Sequence, residues 1–302
     1  MKAVVLHEYG GPDKLKYEDV PDPVAADDQV LIRVAASSVN PIDYKIRSGA
    51  VKQNFPLELP AILGRDIAGI VRTVGSKVSG IAPGDKVMAL GNRAYAELVV
   101  VKATDIAHVP EKLDLVKAAA LPLVTTTGEQ LITRGTKIQS GQTVLVSGAV
   151  GNVGRSAVRT AKKAGATVIA GVRKSQLKEA EATGADQVVA LDDDASLAKL
   201  GFVDAVADTV GGETAQKLLG KVKQGGIFAS VLGPPGNAAM HPTLKIEAVQ
   251  VRPDAGTLRT MAEDVVAGRL VIPIDRMVPL ADAGDAQAAA EKGVAGKILL
   301  LT

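Results

Sequence analysis

A short glycine-containing turn has the residue types that bind a phosphate group. The segment Ala149-Val150-Gly151-Asn152-Val153-Gly154 follows the apolar run Thr143–Ser147 and begins a helical pattern over 153–164. Small residues at a strand-to-helix turn let the backbone approach a pyrophosphate closely. The helix N-terminus then presents unpaired N–H groups and a positive dipole end to that anion. The turn therefore predicts a dinucleotide site, and with it redox chemistry.

The residues around the turn favour this prediction. The helical pattern has one apolar stripe, made of Val153, Ala157, Ala161 and Ala164. A second strand pattern, Thr167–Ala170, follows Gly165, so the β-α-β unit has about 30 residues, the length expected of such a unit. The alternative is a glycine-rich turn of an α/β protein that binds nothing.

Two cations follow the second strand where an NAD-binding protein usually has an acid. About 20 residues after the glycines, Asp or Glu commonly holds the ribose 2′-hydroxyl group of NAD. This sequence instead reads Gly171-Val172-Arg173-Lys174-Ser175. An acid would repel a 2′-phosphate, whereas Arg173 and Lys174 would attract it. The sequence therefore predicts NADP(H) over NAD(H), the alternative being a solvated basic turn.

The elements that must position these residues change in character along the chain. Short β-like runs separated by Pro and Gly dominate before about residue 115, which is typical of a partly antiparallel β domain. Strand and helix patterns then alternate, as in a doubly wound parallel sheet. We therefore predict an α/β protein with a β-rich catalytic domain, residues 1–117 and 268–302, and a Rossmann-type cofactor domain, residues 118–267.

Composition excludes several other classes of function. The net charge of +2 gives no broad field for nucleic acid or an anionic membrane, and 2% aromatic residues offer no stacking platform for single-stranded nucleic acid. The absence of cysteine excludes disulfides, thiolate catalysis and Cys-ligated zinc. The N-terminal apolar run, Ala3–Leu6, is too short for a signal peptide or a membrane span. We expect a cytoplasmic protein that acts on a small molecule, without a nucleic-acid or membrane partner.

Motifs along nearly the whole chain carry a family resemblance. The matching segments are Met1–Val4, Val39–Asp43, Gly64–Gly69, Pro83–Val87, Ala94–Glu97, Ala120–Pro122, Ala149–Gly154, Asp208–Gly212 and Gly296-Lys297. In these the chain resembles the zinc-independent medium-chain dehydrogenase/reductases, specifically the quinone oxidoreductase (zeta-crystallin-like) and alkenal/enone reductase branch. The resemblance implies a GroES-like catalytic domain, a Rossmann-type cofactor domain, NADPH-dependent reduction and a homodimer.

The zinc-binding positions of that family differ in this chain. Its zinc enzymes carry Gly-His-Glu where this sequence reads Gly64-Arg65-Asp66, and arginine is not a zinc ligand. The catalytic cysteine and the four-cysteine zinc loop are both missing. The histidines, His7, His108 and His241, share no ligand spacing. The sequence therefore predicts no metal site and a reductase that needs no metal.

The resemblance places the active site on the segment 39–47. Hydride delivery to an enone or a quinone develops negative charge on a carbonyl oxygen, which requires a hydrogen-bond donor and then a proton. Catalytic roles are implied for Lys45, whose ammonium group would pair with the developing enolate, for Tyr44 and for Asn40. Structural roles are the alternative for Asn40 and Asp43, because Asn, Pro and an acid at these positions start a helix well.

The resemblance also implies cofactor contacts at the ends of several strands. Besides Arg173 and Lys174, the implied residues are Thr127, Ser147, Ala149, Val150, Gly151, Asn152, Val153, Gly154, Thr209, Val210, Val231, Leu232 and Gly233. Core packing is the alternative for Val231 and Leu232, and a helix start is the alternative for Thr127. Gly296-Lys297 is implied to lie near the active-site cleft, with a structural turn as the alternative.

These observations predict an NADPH-dependent, metal-independent reductase of a quinone or an α,β-unsaturated carbonyl. An enoyl-thioester reductase of the same fold stays an alternative, as does a non-catalytic NADPH-binding protein of crystallin-like or regulatory type. The segment 234–253 is compact relative to the family, where this region contributes to dimer pairing and to the substrate wall. Oligomeric state and substrate size therefore stay open.

Overall fold

The computed structural model describes residues 1–302, and the chain divides into two compact units. The first unit contains residues 1–123, 253–268 and 272–302, and the second contains residues 124–252 and 269–271. The predicted cofactor domain differs from the second unit mainly because residues 253–267 group with the first unit. Their helix, Ala255–Val266, packs against the strand Ile106–His108 of the first unit. No helix is both long and apolar enough to cross a lipid bilayer.

Strands and helices are numbered here in chain order. The strands are β1 (Lys2–Leu6), β2 (Leu15–Asp19), β3 (Gln29–Ser38), β4 (Ala61–Ile62), β5 (Asp66–Val74), β6 (Lys86–Leu90), β7 (Leu98–Lys102), β8 (Ile106–His108), β9 (Thr143–Ser147), β10 (Thr167–Val172), β11 (Gln187–Ala190), β12 (Val203–Asp208), β13 (Val222–Ser230), β14 (Lys245–Ala248), β15 (Ile274–Pro279) and β16 (Lys297–Leu301). The α-helices are α1 (Pro41–Arg47), α2 (Leu115–Ala118), α3 (Pro122–Gln130), α4 (Asn152–Lys163), α5 (Leu177–Glu181), α6 (Asp194–Lys199), α7 (Gly212–Leu219), α8 (Ala255–Val266) and α9 (Ala283–Glu291).

A largely antiparallel sheet forms the centre of the first unit. Its strand order is β15-β16-β3-β5-β6-β8, with β7 also paired to β3, and only the β15–β16 pair is parallel. Because β16 pairs with β3, the end of the chain lies in the same sheet as strands from its first part. Because β3 runs antiparallel to both β5 and β16, its last residue, Ser38, lies at the same edge as Asp66 and Lys297, the first residues of those strands.

A parallel sheet forms the second unit and confirms the predicted doubly wound fold. Its strand order is β11-β10-β9-β12-β13-β14, and every neighbouring pair is parallel. Numbered within the unit, this order is 3-2-1-4-5-6, which reverses between β9 and β12. Open α/β sheets bind ligands in the crevice at the carboxyl ends of the strands where the order reverses. The turn after β9 lies at that point.

The helix after this turn packs through small residues. Ala157 and Ala161 of the predicted stripe are fully buried against the sheet, whereas Ala164 is exposed because α4 ends at Lys163. Gly128 of α3 also packs closely on α4, since a Cβ atom there would lie 2.6 Å from the Cβ of Ser156. Small side chains therefore fix the distance of α4 from its neighbours, and with it the position of the helix N-terminus.

Candidate functional site

The turn between β9 and α4 has a backbone suited to a pyrophosphate. Gly151 is the N-cap of α4, and no side chain caps the first helical turn. The first N–H groups of a helix have no partner within it, so those of Asn152 and Val153 are left for a ligand. A Cβ atom on Gly154 would overlap the carbonyl oxygen of Gly148, so this close packing requires glycine.

The six predicted residues of the turn differ in their exposure. Ala149 and Val150 are buried, so only their backbone atoms are suited to line the site. Gly151 is exposed, and Asn152 and Val153 are half-buried. The uncapped N-terminus and the exposed glycine fit the pyrophosphate of a nicotinamide dinucleotide.

Asp208 joins three strand ends at the reversal of the strand order. Its carboxylate accepts hydrogen bonds from the hydroxyl groups of Ser147 and Ser230, each at 2.7 Å, and these serines end β9 and β13. It also accepts from the N–H groups of Val210 and Gly211, each at 3.1 Å. A buried carboxylate with four such partners is satisfied within the protein. Asp208 therefore shapes the carboxyl edge of the sheet.

Ser147 and Thr209 are brought together at the same edge. The Thr209 hydroxyl donates to the carbonyl oxygen of Ser147 at 2.7 Å, and the Thr209 N–H donates to the Ser147 hydroxyl at 3.0 Å. Ser147 is fully buried, and its hydroxyl already donates to Asp208. The structure thus places both predicted residues at the crevice, with their side chains used to tie β9 to β12.

Two large apolar side chains are exposed beside this crevice. Val210 is 47% exposed and Leu232 is 48% exposed. Leu232 lies next to Gly211, the residue after Val210, because a Cβ atom on Gly211 would lie 2.8 Å from the Leu232 Cδ1 atom. Val231 is half-buried, and its N–H donates to the Asp208 carbonyl oxygen at 3.2 Å. Val210 and Leu232 are therefore apolar groups that are exposed to a ligand at this edge.

Thr127 lies within α3. It is the one predicted cofactor residue that precedes β9 in the chain. It is 8% exposed, and Thr125 and Thr126 beside it are fully buried. The adjacent Gly128 is the residue that packs on α4. Thr127 is therefore part of a packed helix rather than a helix start.

Arg173 and Lys174 follow the end of β10, and both side chains are exposed. The Lys174 ammonium group lies 3.6 Å from the Asp193 carboxylate, and the Lys174 N–H donates to Asp192 at 2.7 Å. The Arg173 guanidinium has no ion-pair partner. Of the two predicted cations, Arg173 is therefore the one whose charge is free for a ligand.

In the first unit, helix α1 begins as the sequence predicts, but the side chain of its N-cap does not cap it. Asn40 precedes α1, Pro41 is the first helical residue, and the Asp43 carboxylate accepts from the Asn40 N–H at 2.8 Å. The Asn40 side chain makes no capping hydrogen bond. It turns instead toward the sheet edge, where it is fully buried.

A buried polar cluster holds the Asn40 side chain. Lys297 Nζ donates to Asn40 Oδ1 at 2.5 Å, to the Val39 carbonyl oxygen at 3.1 Å, and lies 3.2 Å from Asp66 Oδ2. Asn40 Nδ2 donates to the same Asp66 oxygen at 2.7 Å, and the Ser38 hydroxyl donates to it as well. These partners fix the orientation of the Asn40 amide, and they hold the start of α1 against β5 and β16.

Asp43 and Tyr95 form a second buried pair beside this cluster. The Tyr95 hydroxyl donates to Asp43 Oδ2 at 2.9 Å, and both residues are almost completely buried. Burial raises the pKa of Asp43 to about 6, against the lowering by hydrogen bonds from the Asn40 N–H and Tyr95. Burial and the Asp43 charge also raise the pKa of Tyr95 well above its usual value. Asp43 is therefore a carboxyl group whose charge is disfavoured where it lies.

The other two predicted catalytic residues lie on α1 and are less buried. Lys45 is half-buried, and its ammonium group has no ion-pair partner. Tyr44 is also half-buried, and burial, together with Glu291 and Asp43, raises the pKa of its hydroxyl. Lys45 and Tyr44 thus present donors outside the buried cluster, whereas Asn40 lies inside it.

Comparison with known proteins identifies the family. Residues 26–111 match the alcohol dehydrogenase GroES-like domain, and residues 183–300 match the zinc-binding dehydrogenase domain. The solved structure of the quinone oxidoreductase from Coxiella burnetii has a TM-score of 0.88 and 32% sequence identity, covering 100% of this chain and 99% of that one. The chain belongs to the medium-chain dehydrogenase/reductase family.

Two further relatives of this medium-chain dehydrogenase/reductase match over part of their length. The quinone oxidoreductase of Pongo abelii is 36% identical over 181 residues, which cover 58% of this chain and 54% of that protein. The chloroplastic NADPH-dependent alkenal/one oxidoreductase of Arabidopsis thaliana is 33% identical over 252 residues, 78% of this chain and 64% of that protein. The chain thus matches about half to two thirds of the length of these relatives.

The positions that hold zinc in other medium-chain dehydrogenase/reductases carry other interactions here. Arg65 Nε donates to the Gly91 carbonyl oxygen at 3.1 Å, and Asp66 belongs to the buried cluster. His7 and His108 each pair with a carboxylate, at 3.0 Å and 3.1 Å. No group of three His, Cys, Asp or Glu side chains in residues 1–302 is arranged to hold a metal ion.

Sequence reasoning missed Asp66, Ser38 and Tyr95 as parts of the catalytic-domain cluster, and Asp208 as the centre of the sheet edge. One signal is present: Asp66 and Lys297 are charged residues that begin the otherwise buried ends of strands β5 and β16. A charge at the start of a buried strand requires a partner, because an unpaired buried charge is costly. The sequence does not state which partner.

Proposed function

We propose that this chain is an NADPH-dependent reductase that needs no metal and transfers hydride to a quinone or an α,β-unsaturated carbonyl. The observation that carries the proposal is the end of β10, where the exposed, unpaired Arg173 takes the place of the acid typical of NAD enzymes. The printed names of the relatives, quinone oxidoreductase and NADPH-dependent alkenal/one oxidoreductase, support the acceptor class.

The second unit would hold the cofactor at the carboxyl edge of its sheet. NADPH, when bound, supplies the hydride. The N–H groups of Asn152 and Val153 bind the pyrophosphate, and the Arg173 guanidinium binds the 2′-phosphate. Val210 and Leu232, both exposed at this edge, would supply apolar contacts to the bound cofactor.

The first unit would hold the acceptor beside α1. In an enone, the hydride adds to the β-carbon, the carbonyl oxygen gains negative charge, and a proton then adds to the α-carbon. In a quinone, hydride and proton together give the hydroquinone. The Lys45 ammonium group stabilises the oxyanion. Asn40 is a positioning residue, because its amide is buried and held by Lys297 and Asp66.

The absence of a metal requirement rests on the residues themselves. Arg65 stands at the position of the family's zinc-binding histidine, and the chain has no cysteine. The Asp66 carboxylate is already used by Lys297, Asn40 and the Leu123 N–H, the last at 2.6 Å. These residues support a reaction in which the Lys45 ammonium group, and not a metal ion, stabilises the oxyanion.

The direct test is NADPH consumption by the purified full chain. NADPH absorbance is followed with a naphthoquinone, acrolein, a long-chain enone and crotonyl-thioester, with and without EDTA. We expect oxidation with a quinone or an enone, little with the thioester, and no effect of EDTA. Tight NADPH binding without consumption of any acceptor would instead favour a non-catalytic binding protein. Preference for the thioester would favour an enoyl-thioester reductase.

A further inference from the structure

A cavity of about 480 Å³ lies within the first unit, next to the start of α1. One wall is the extended segment 57–65, and another is the loop that carries Asn92 and Arg93. Asp43 and Ile46 of α1 complete the lining. The cavity therefore borders the segment 39–47, on which the family resemblance places the active site. The polar residues that line it can indicate the chemical class of the acceptor.

Two arginines, Arg65 and Arg93, are among the residues that line this cavity, and neither forms an ion pair; Arg93 also borders a second cavity of the first unit. Arg65 Nε donates to the Gly91 carbonyl oxygen at 3.1 Å, which anchors the side chain and leaves its two terminal nitrogens for another acceptor. Asn92, which is exposed, also lines the cavity and carries an amide group. Donors of this kind in an open cavity fit a small anion, because arginine binds carboxylates through paired hydrogen bonds.

Arg93 has a backbone conformation that non-glycine residues rarely adopt. Its φ angle is 61°, in the left-handed region. Hydrogen bonds on both sides impose this conformation: Gly91 N–H donates to the Arg65 carbonyl oxygen at 2.8 Å, and Ala94 N–H donates to that of Gly64 at 3.2 Å. Strained residues held in this way cluster at ligand sites. A glycine at this position would relieve the strain. The presence of arginine instead indicates that its side chain has a role here.

The acids in the lining limit the charge of the ligand. Glu58 is exposed and forms no ion pair with either arginine. Asp43 is buried behind the cavity, and its Oδ2 atom accepts from Tyr95 and from the Asn40 N–H. Two arginines and one exposed glutamate in the lining leave a net charge of one positive unit, which favours a monoanion over a phosphate dianion. A carboxylate is the planar monoanion that matches the guanidinium geometry.

We propose that Arg65 and Arg93 bind a carboxylate group on the acceptor, so that the substrate is a carboxylate-bearing enone or quinone; this inference rests on the proposed reductase function. The carboxylate takes no part in the electron transfer. One hydride from NADPH and one proton would reduce the carbon–carbon double bond of the enone, or would convert the quinone to the hydroquinone, and the acid group is unchanged in either case. The two arginines set specificity through binding.

The test compares an acid with its own ester. The acceptors are 4-oxopent-2-enoate, which carries an enone and a carboxylate, and its methyl ester, which has no charge. We expect the wild-type chain to reduce the acid with a kcat/KM about 10- to 100-fold higher than that for the ester, the range of a charge-assisted pair. Arg93→Gly and Arg65→Gln are expected to lose this preference and to keep ester turnover within about twofold.

Three controls separate the inference from its alternatives. Arg93→Gly relieves the positive φ angle, so loss of acid turnover in this variant is not loss of folding. Arg93→Lys keeps the charge and is expected to restore part of the acid preference. Arg72→Gln removes another first-unit arginine, whose side chain is 54% exposed, and is expected to leave both acceptors unaffected.

Calorimetric binding of 4-oxopentanoate, the saturated acid, keeps the inference testable without turnover. Binding by the wild-type chain that Arg93→Gly abolishes would support the carboxylate site. Equal turnover of acid and ester, with no change in either variant, would overturn the inference and leave the reductase function standing. Failure to reduce either acceptor or any member of the panel would overturn the reductase function. The carboxylate site would then stand or fall on 4-oxopentanoate binding alone.

Discussion

Lys297 and Asp66 form an ion pair in the interior of the first unit, with Nζ 3.2 Å from Oδ2 and side chains that are 3% and 0% exposed. The two residues are far apart in the sequence, and each begins a strand of the central sheet. Asn40 bridges them, accepting from Lys297 and donating to Asp66. The pair therefore connects the fold of the sheet to the start of the helix that carries Lys45.

Removal of the Lys297 charge is expected to destabilise the protein strongly. In Lys297→Met, the buried Asp66 carboxylate loses its counter-charge, and such a loss typically costs about 3–5 kcal/mol. Lys77→Met is a matched control, because the Lys77–Asp27 pair has the same 3.2 Å separation but side chains that are 73% and 62% exposed. The control is expected to cost under about 1 kcal/mol. Urea unfolding followed by circular dichroism measures both, and equal losses would contradict a stabilising role for the buried pair.

The buried Asp43 is expected to make stability depend on pH with a definite sign. Its pKa is about 6 in the fold, against an ordinary value of 3.8. Between these values the folded chain retains a proton that the unfolded chain has lost, so this carboxyl group lowers stability as pH rises through the window. The full effect corresponds to about 3 kcal/mol. Asp43→Asn removes it while keeping an oxygen for Tyr95 and the Asn40 N–H.

The measurement is the free energy of unfolding of variant and wild type near pH 4 and near pH 7.5. Asp43→Asn is expected to gain stability relative to wild type at the higher pH. Asp85→Asn is the control of opposite sign, because the Ala82 N–H and His108 lower the pKa of Asp85. Its wild-type carboxylate stabilises the fold above its ordinary pKa and loses that effect as pH falls. A pH-independent difference for Asp43→Asn would show that the carboxyl group is not perturbed as described.

The sequence predicts the fold class of both parts of the chain, because the periodicity and turn residues that distinguish a β-rich domain from alternating strands and helices are local. The pattern Asn40-Pro41-x-Asp43 predicts the helix start, and α1 begins at Pro41. The end of strand β12 differs from the sequence pattern for a physical reason. The apolar pattern continues to Val210, but β12 ends at Asp208, whose own carboxylate takes the N–H groups of Val210 and Gly211.

The clusters could not be predicted because they depend on strand register. The Lys297 ion pair exists only because β3 lies between β5 and β16, with Ala36 opposite Ala68 and Ser38 opposite Leu299. The positive φ angle of Arg93 likewise follows from hydrogen bonds to a distant segment, 64–65. The family resemblance implies a site role for Asn40, but only the register shows that its amide is held inside the protein.

Lys45 is expected to act in turnover and not in cofactor binding. In Lys45→Ala the helix is kept, since alanine favours helix, and the donor for the developing oxyanion is lost. We expect kcat with the best enone to fall about 100-fold, with an unchanged dissociation constant for NADPH. Lys52→Ala, which removes an exposed lysine of the first unit, is the control. Unchanged turnover in Lys45→Ala would remove this residue from the mechanism.

Arg173 is expected to contribute more than Lys174 to the choice between NADPH and NADH. The Arg173 guanidinium has no ion-pair partner, whereas the Lys174 ammonium group lies 3.6 Å from Asp193. Loss of a charge-assisted hydrogen bond to the 2′-phosphate should raise the KM for NADPH about 10- to 100-fold in Arg173→Ala, with the KM for NADH changed less than about twofold. Lys174→Ala should raise the KM for NADPH by less. Lys178→Ala, which removes an exposed lysine of the following helix, controls for general charge. Equal changes in the KM values for NADPH and NADH in Arg173→Ala would show that Arg173 does not bind the 2′-phosphate.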